Sequence, residues 1–142
     1  MVKKLILVKL LIELMKRRRM KMIDIIVLIL ICVVLASFGQ VYMKKGLLES
    51  GEIKINELLT KKIFSVVFQK NIFIGLILYL ISMSFWLIVL SRTELSFAYP
   101  LIGLGYVLTA FLAKFYFNEN ITLIRLFGIL LIISGAALIM KS

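Results

Sequence analysis

The chain has 142 residues, is 63% hydrophobic and carries a formal net charge of +11. Its mean hydropathy of +1.11 argues against a water-soluble globule. With no histidine and a single cysteine, Cys32, an intrachain disulfide is excluded and a zinc or haem site has almost no ligands. The surplus Lys and Arg sit at the ends of apolar runs, where they meet anionic headgroups. A membrane, and no nucleic acid, accounts for the charge.

Residues 1–21 read MVKKLILVKLLIELMKRRRMK. The apolar stretch 5–15 is too short to span a bilayer and is interrupted by Lys9 and Glu13. Lys9, Glu13 and Lys16 fall on one helical face, which suits a helix lying on the membrane surface. The basic cluster 16–19 stands where a signal peptide needs small residues. Initiation at Met20 or Met22 is the alternative, and would leave this segment outside the protein.

The first span covers residues 23–43. Its second half carries Ala36, Ser37, Gly39 and Gln40, and a glutamine amide at membrane depth needs a hydrogen-bond partner or a wet cavity. Residues 46–71 form the only long connection. Ile55, Leu58, Leu59, Ile63, Val66 and Val67 recur there at helical spacing between charges, which reads as an amphipathic surface helix or a solvated linker. The second span, 72–90, holds Tyr79, Ser82, Ser84 and Trp86, and a tight turn with Arg92 and Glu94 follows.

The third span, 94–117, carries the chain's only proline, Pro100. Pro100 removes an amide donor, so the backbone is expected to bend there. Gly105, Thr109 and Ala113 are four apart and share a face that lets another backbone come close. Tyr99 and Tyr106 place hydroxyls where each needs a partner or water. The same features also fit an ordinary packing helix with interfacial tyrosines. The fourth span, 123–140, has Gly128 and Gly135 two turns apart on one face, which permits tight helix contact in lipid.

The predicted fold class is an all-α membrane protein. A basic or amphipathic amino-terminal segment, 1–22, precedes one four-helix transmembrane domain, 23–141. Chemistry is nearly absent from the pattern: no nucleophile lies beside a base, and no carboxylates cluster for a metal. The acids Glu13, Asp24, Glu49, Glu52, Glu57, Glu94 and Glu119 all lie outside the spans or at their ends. No enzyme, metal or cofactor is expected. Transport needs only a polar-lined gap and two packings.

Several motifs together resemble the drug/metabolite transporter superfamily. They are Ala36-Ser37-Phe38-Gly39-Gln40, the junction from Trp86 through Arg92 and Glu94 to Tyr99-Pro100-Leu101, and Asn118-Glu119-Asn120 followed by Arg125-Leu126-Phe127-Gly128. The resemblance is to the short four-helix members grouped with the EamA domain: small multidrug resistance proteins and, more closely, aminoarabinose–lipid-carrier flippase subunits. Drug-exporting members carry a glutamate where this chain has Ala36, and a tryptophan where it has Ile102. The resemblance therefore implies a polyprenyl-phosphate-sugar flippase-like subunit in the plasma membrane. It also implies a homodimer, or a heterodimer with a similar four-helix protein, with Gly128 and Gly135 in the subunit contact. Gln40, Tyr99, Pro100, Gly103, Gly105 and Tyr106 are the expected substrate-path residues, with membrane lipids and a small-molecule or lipid-linked substrate as partners. A drug exporter and a non-transporting interaction subunit are the alternatives.

Charge bias generates a test of orientation. A cytoplasmic amino terminus places slightly more Lys and Arg inside than outside, and removal of residues 1–21 reverses that balance. Reporters fused at Ser142, with and without residues 1–21, should report opposite sides of the membrane. The same side from both would show that charge does not control insertion here.

Overall fold

The computed structural model describes residues 21–51 and 61–141, and all regular structure among them is helical. The elements are α1 (Met22–Ser50), α2 (Lys61–Val67), α3 (Lys70–Leu90), α4 (Leu95–Ile102), α5 (Leu104–Phe117) and α6 (Leu123–Ile139). Helices α1 and α3 are long and apolar enough to cross a bilayer, as is the continuous α4–α5 stretch, Leu95–Phe117. The apolar α6 has 17 residues, the lower end of the spanning range. The chain is an all-α, multi-pass membrane protein.

Local chemistry sets the helix ends. At the start of α3 the Gln69 side chain accepts from the Ile72 amide at 2.9 Å. At the start of α6 the Thr122 hydroxyl accepts from the Arg125 amide at 3.3 Å. Both satisfy amides that a helix N-terminus leaves without an intrahelical partner. Helix α5 stops at Asn118, which takes a left-handed conformation with φ 53° that asparagine tolerates better than most residues. The third span is broken in two. Pro100 lies inside α4, and three residues later the Gly103 amide reaches back to the carbonyls of Tyr99 and Pro100 at 3.3 and 3.1 Å before α5 begins.

Helix α1 runs seven residues beyond the expected end of the first span at residue 43 and includes Gly46 and Ser50. Gly46 is buried, and a Cβ there would collide with Gln69 and Ile72. The last turn is held by the Ser50 hydroxyl, which donates to the Gly46 carbonyl at 2.8 Å. The connection thus begins at Gly51 rather than Gly46. Of the surface helix expected in that connection, residues 61–67 are helical, and Val66 is their buried residue. Ile55, Leu58 and Leu59 lie outside the described residues, as does the amino-terminal segment 1–20.

Helix α1 is the element that the others share. It packs along α3 on one side and along α4 and α5 on the other, whereas among the described helices α6 packs on α4 and α5. Toward α3 it presents small residues at a spacing of seven, Cys32, Gly39 and Gly46, all buried. They meet Ser82, Gly75 and the α3 N-terminus. The Ser82 hydroxyl donates to the Cys32 carbonyl at 2.8 Å. At Gly75 a Cβ would stand 2.6 Å from the Gly39 carbonyl oxygen and 2.9 Å from the Met43 amide nitrogen. Two backbones approach this closely only where neither has a side chain.

The apolar core lies at the Met22 end of α1. Ile25, Ile29 and Val33 pack there with Val89 from α3 and with Ala98 and Leu101 from α4. Helix α6 buries Ile129 and Ala136. Gly128 and Gly135 lie beside that buried strip, and no atom stands within 4 Å of where their Cβ would be.

The glycine contact generates a stability test. Gly75→Val forces backbone against backbone and should destabilise the fold by about 1–3 kcal/mol, the usual range for overpacking. Its unfolding midpoint in mild detergent should fall well below wild type. Gly105→Ala is the control, because its new methyl would sit 3.8 Å from its nearest neighbour, Val33 Cγ1. Equal midpoints for all three proteins would contradict the packing described.

Candidate functional site

The polar residues of the spans converge above the apolar core. The side of α1 that faces α5 carries Val33, Ser37, Gln40 and Lys44, spaced by three or four so that they form one strip. Gly105 lies opposite Val33 and Ser37, with room for a methyl at 3.8 and 3.9 Å. One turn on, the Thr109 hydroxyl stands 3.2 Å from the Ser37 hydroxyl and 3.4 Å from Gln40 Oε1, to which it donates. The Gln40 carbonyl oxygen thereby finds a partner, and the exposed side chain leaves its NH2 group accessible. At the next turn Lys44 forms an ion pair with Glu119 in the α5–α6 loop, and its ammonium sits 4.8 Å from the centroid of the Phe117 ring.

Helices α3 and α5 both flank α1, and their backbones do not approach each other. The gap between them is a cavity of about 480 Å³, within the usual size range for small-ligand sites. Helix α1 supplies its floor through Cys32, Val33, Ala36, Ser37 and Gln40. One wall is Tyr79, Ser82, Met83 and Trp86 of α3, and the other is Tyr99, Ile102, Gly105, Tyr106 and Thr109. Trp86 and Tyr99 meet edge to face across the two walls, with centroids 5.6 Å apart, which closes the cavity toward the core. Tyr99 and Tyr106 remain 57% and 73% exposed, so the cavity is open sideways rather than sealed within the bundle.

None of the lining residues carries a charge. The lining combines hydroxyls, one carboxamide and four aromatic rings. That set suits a neutral group rich in hydroxyls, which can hydrogen-bond and stack on rings. A bare anion or metal ion would find no counter-charge here, and desolvating it would be costly, whereas the four rings could also hold an organic ammonium by cation–π contact.

Of the residues expected along a substrate path, Gln40, Tyr99, Gly105 and Tyr106 line this one cavity. Pro100 and Gly103 do not, and stand at the α4–α5 break behind it. Ser37, Ser82, Trp86 and Thr109 belong to the lining without having been expected there. Thr109 had a legible signal, since it shares the small-residue face of Gly105 and Ala113. Ser37 is 2% exposed, and its role depends on which helix α1 faces.

The EamA-like transporter family profile matches residues 50–141. A probable 4-amino-4-deoxy-L-arabinose-phosphoundecaprenol flippase subunit ArnE of Pseudomonas fluorescens (strain Pf0-1) is 43% identical over 54 residues, 38% of this chain and 47% of that protein. The corresponding ArnE of Pseudomonas aeruginosa (strain LESB58) is 42% identical over 57 residues, 40% of this chain and 50% of that protein. A probable subunit ArnF of the same type of flippase, from Sodalis glossinidius (strain morsitans), is 46% identical over 67 residues, 46% of this chain and 52% of that protein. The chain thus spans about half the length of these curated relatives. No solved structure matches.

Proposed function

The chain belongs to the EamA-like transporter family, and from that premise we propose that it is a transporter subunit for a lipid-linked, hydroxyl-rich substrate such as a polyprenyl-phosphate sugar. The observation that carries this reading is the uncharged cavity open sideways between α3 and α5. A lipid-linked substrate must keep its tail in the bilayer while its headgroup crosses. A lateral opening permits that division, and the hydroxyls and the Gln40 carboxamide in an otherwise apolar, uncharged lining offer a sugar hydrogen-bond partners. The relatives named as flippase subunits support the same class. The reading includes no catalytic step, because the cavity holds no nucleophile paired with a base.

Export of cationic drugs is the alternative; the four rings could hold an organic cation, but the lining disfavours proton-coupled export. Ala36 and its neighbours offer no carboxylate to pair with a cation or to exchange a proton.

The subunit acts as a dimer, with itself or with a similar four-helix chain. The glycine face of α6 supports this, because among the described residues nothing lies within 4 Å of where a Cβ on Gly128 or Gly135 would stand and small residues favour helix contact in lipid. Pro100 and Gly103 serve as the joint at which α5 moves against α4 during exchange.

Reconstitution in vesicles with a fluorescent polyprenyl-phosphate glycan tests the reading. The protein, with any chain that co-purifies from native membranes, should accelerate transbilayer exchange. Gln40→Leu should fold normally and reduce that rate about tenfold, as expected for one lost hydrogen bond to the headgroup. If wild type gives no exchange with its partner present, the transporter assignment fails.

A further inference from the structure

Lys44 stands where the cavity's neutrality ends. It follows Gln40 by one helical turn on the strip of α1 that faces α5, about 6 Å further along the axis. That step is comparable with one sugar ring and its glycosidic oxygen. Between Gln40 and Lys44 the helix carries only Val41, Tyr42 and Met43, so Lys44 is the first charge that α1 offers beyond the cavity. A sugar held by Gln40, Ser37 and Thr109 would place its attached phosphate at this level.

Lys44 already holds an anion. Its ammonium pairs with the Glu119 carboxylate and lies over the Phe117 ring, so it bridges α1 to the end of α5 and the loop that follows. The two side chains are 46% and 36% exposed, and pairs this accessible to solvent contribute little and exchange readily. Lysine also presents a compact point charge on a flexible stem, which can change partners without a fixed bidentate geometry.

We propose that Lys44 receives the phosphate of the lipid-linked substrate and that Glu119 is its resting counter-ion, released when the phosphate binds. This rests on the reading of the cavity as a headgroup site. Exchange moves one anion off Lys44 and another on, with no covalent step. It also unties α1 from the α5–α6 loop at the Lys44 end of the cavity. Substrate arrival and release of that tie are then a single event.

Trp86 is the only tryptophan in the chain and lines the cavity, so its emission reports occupancy. The test titrates the full chain in nanodiscs with farnesyl phosphate, with farnesol and with inorganic phosphate. In wild type, farnesyl phosphate should shift Trp86 emission at roughly tenfold lower concentration than farnesol, with no response to inorganic phosphate. Lys44→Gln should abolish that preference and leave the response to farnesol intact, whereas Lys44→Arg should keep it. Glu119→Gln, which removes the competing carboxylate, should strengthen binding of farnesyl phosphate several-fold.

The opposite signs are decisive, because a purely structural ion pair predicts that either neutral variant has the same effect. Equal weakening in Lys44→Gln and Glu119→Gln would overturn the proposal. So would a wild-type response to farnesol and farnesyl phosphate at equal concentration, which spares the cavity reading. A response to inorganic phosphate alone would mark a free-anion site and overturn the lipid-linked source. If no probe affects Trp86, the cavity reading fails and the proposal with it.

Discussion

The close approach of Gly39 on α1 to Gly75 on α3 is the contact on which the other features depend. In lipid, apolar side chains gain little by leaving one hydrocarbon environment for another, so association relies on close packing and polar ties. A Cβ on Gly75 would stand 2.6 Å from the Gly39 carbonyl oxygen, so the helices are held at a separation that only glycine permits. With Cys32 and Gly46 on the same strip, the contact extends over four turns of α1. It fixes the rotation of that helix about its own axis. Ser37, Gln40 and Lys44 consequently lie on the side of α1 toward α5, the first buried and the other two still exposed.

A helix committed to two neighbours in this way keeps them apart. Helix α3 rides on one strip of α1 and α5 on the other, and the space between them becomes the cavity. Below it, Ile25, Ile29, Val33, Val89, Ala98 and Leu101 close the bundle with apolar contact. Above it, the ties from α1 to α5 become steadily more polar, from hydroxyl to carboxamide to ion pair. This gradient follows depth. A hydroxyl can be satisfied by one neighbour in a low-dielectric interior, whereas the Lys44–Glu119 pair stands where water still reaches both groups.

Much of the fold was legible because bilayer thickness imposes it. The three helices long enough to span, the shorter apolar helix after them, the turn at Arg92 and the break near Pro100 all follow from hydropathy, length and a missing amide. The extension of α1 to Ser50 was not legible, since Gly46 reads as a terminator until Gln69 and Ile72 are seen packed against it. Depth and polarity brought Gln40, Tyr99 and Tyr106 into consideration, small size brought Gly105, and the four share one cavity. Ser37 and Ser82, though noted in their spans, were not expected to line a site because a small hydroxyl in a membrane helix usually bonds its own backbone, as Ser84 and Ser134 do here. The pairing of Gly39 with Gly75 was likewise hidden. Each glycine is unremarkable alone, and only the tertiary contact gives the spacing from Cys32 to Gly46 a meaning.

The separation of α3 from α5 by a shared α1 can be measured directly by disulfide trapping. In a Cys32→Ala background, Ser37→Cys combined with Thr109→Cys joins α1 to α5, where the native hydroxyls stand 3.2 Å apart. Tyr79→Cys combined with Tyr106→Cys instead bridges the two walls of the cavity. Under mild oxidation in native membranes, the first pair should close within a single chain and the second should remain open. Rapid intrachain closure of the second pair, or failure of the first, would contradict the arrangement of helices on which the cavity depends.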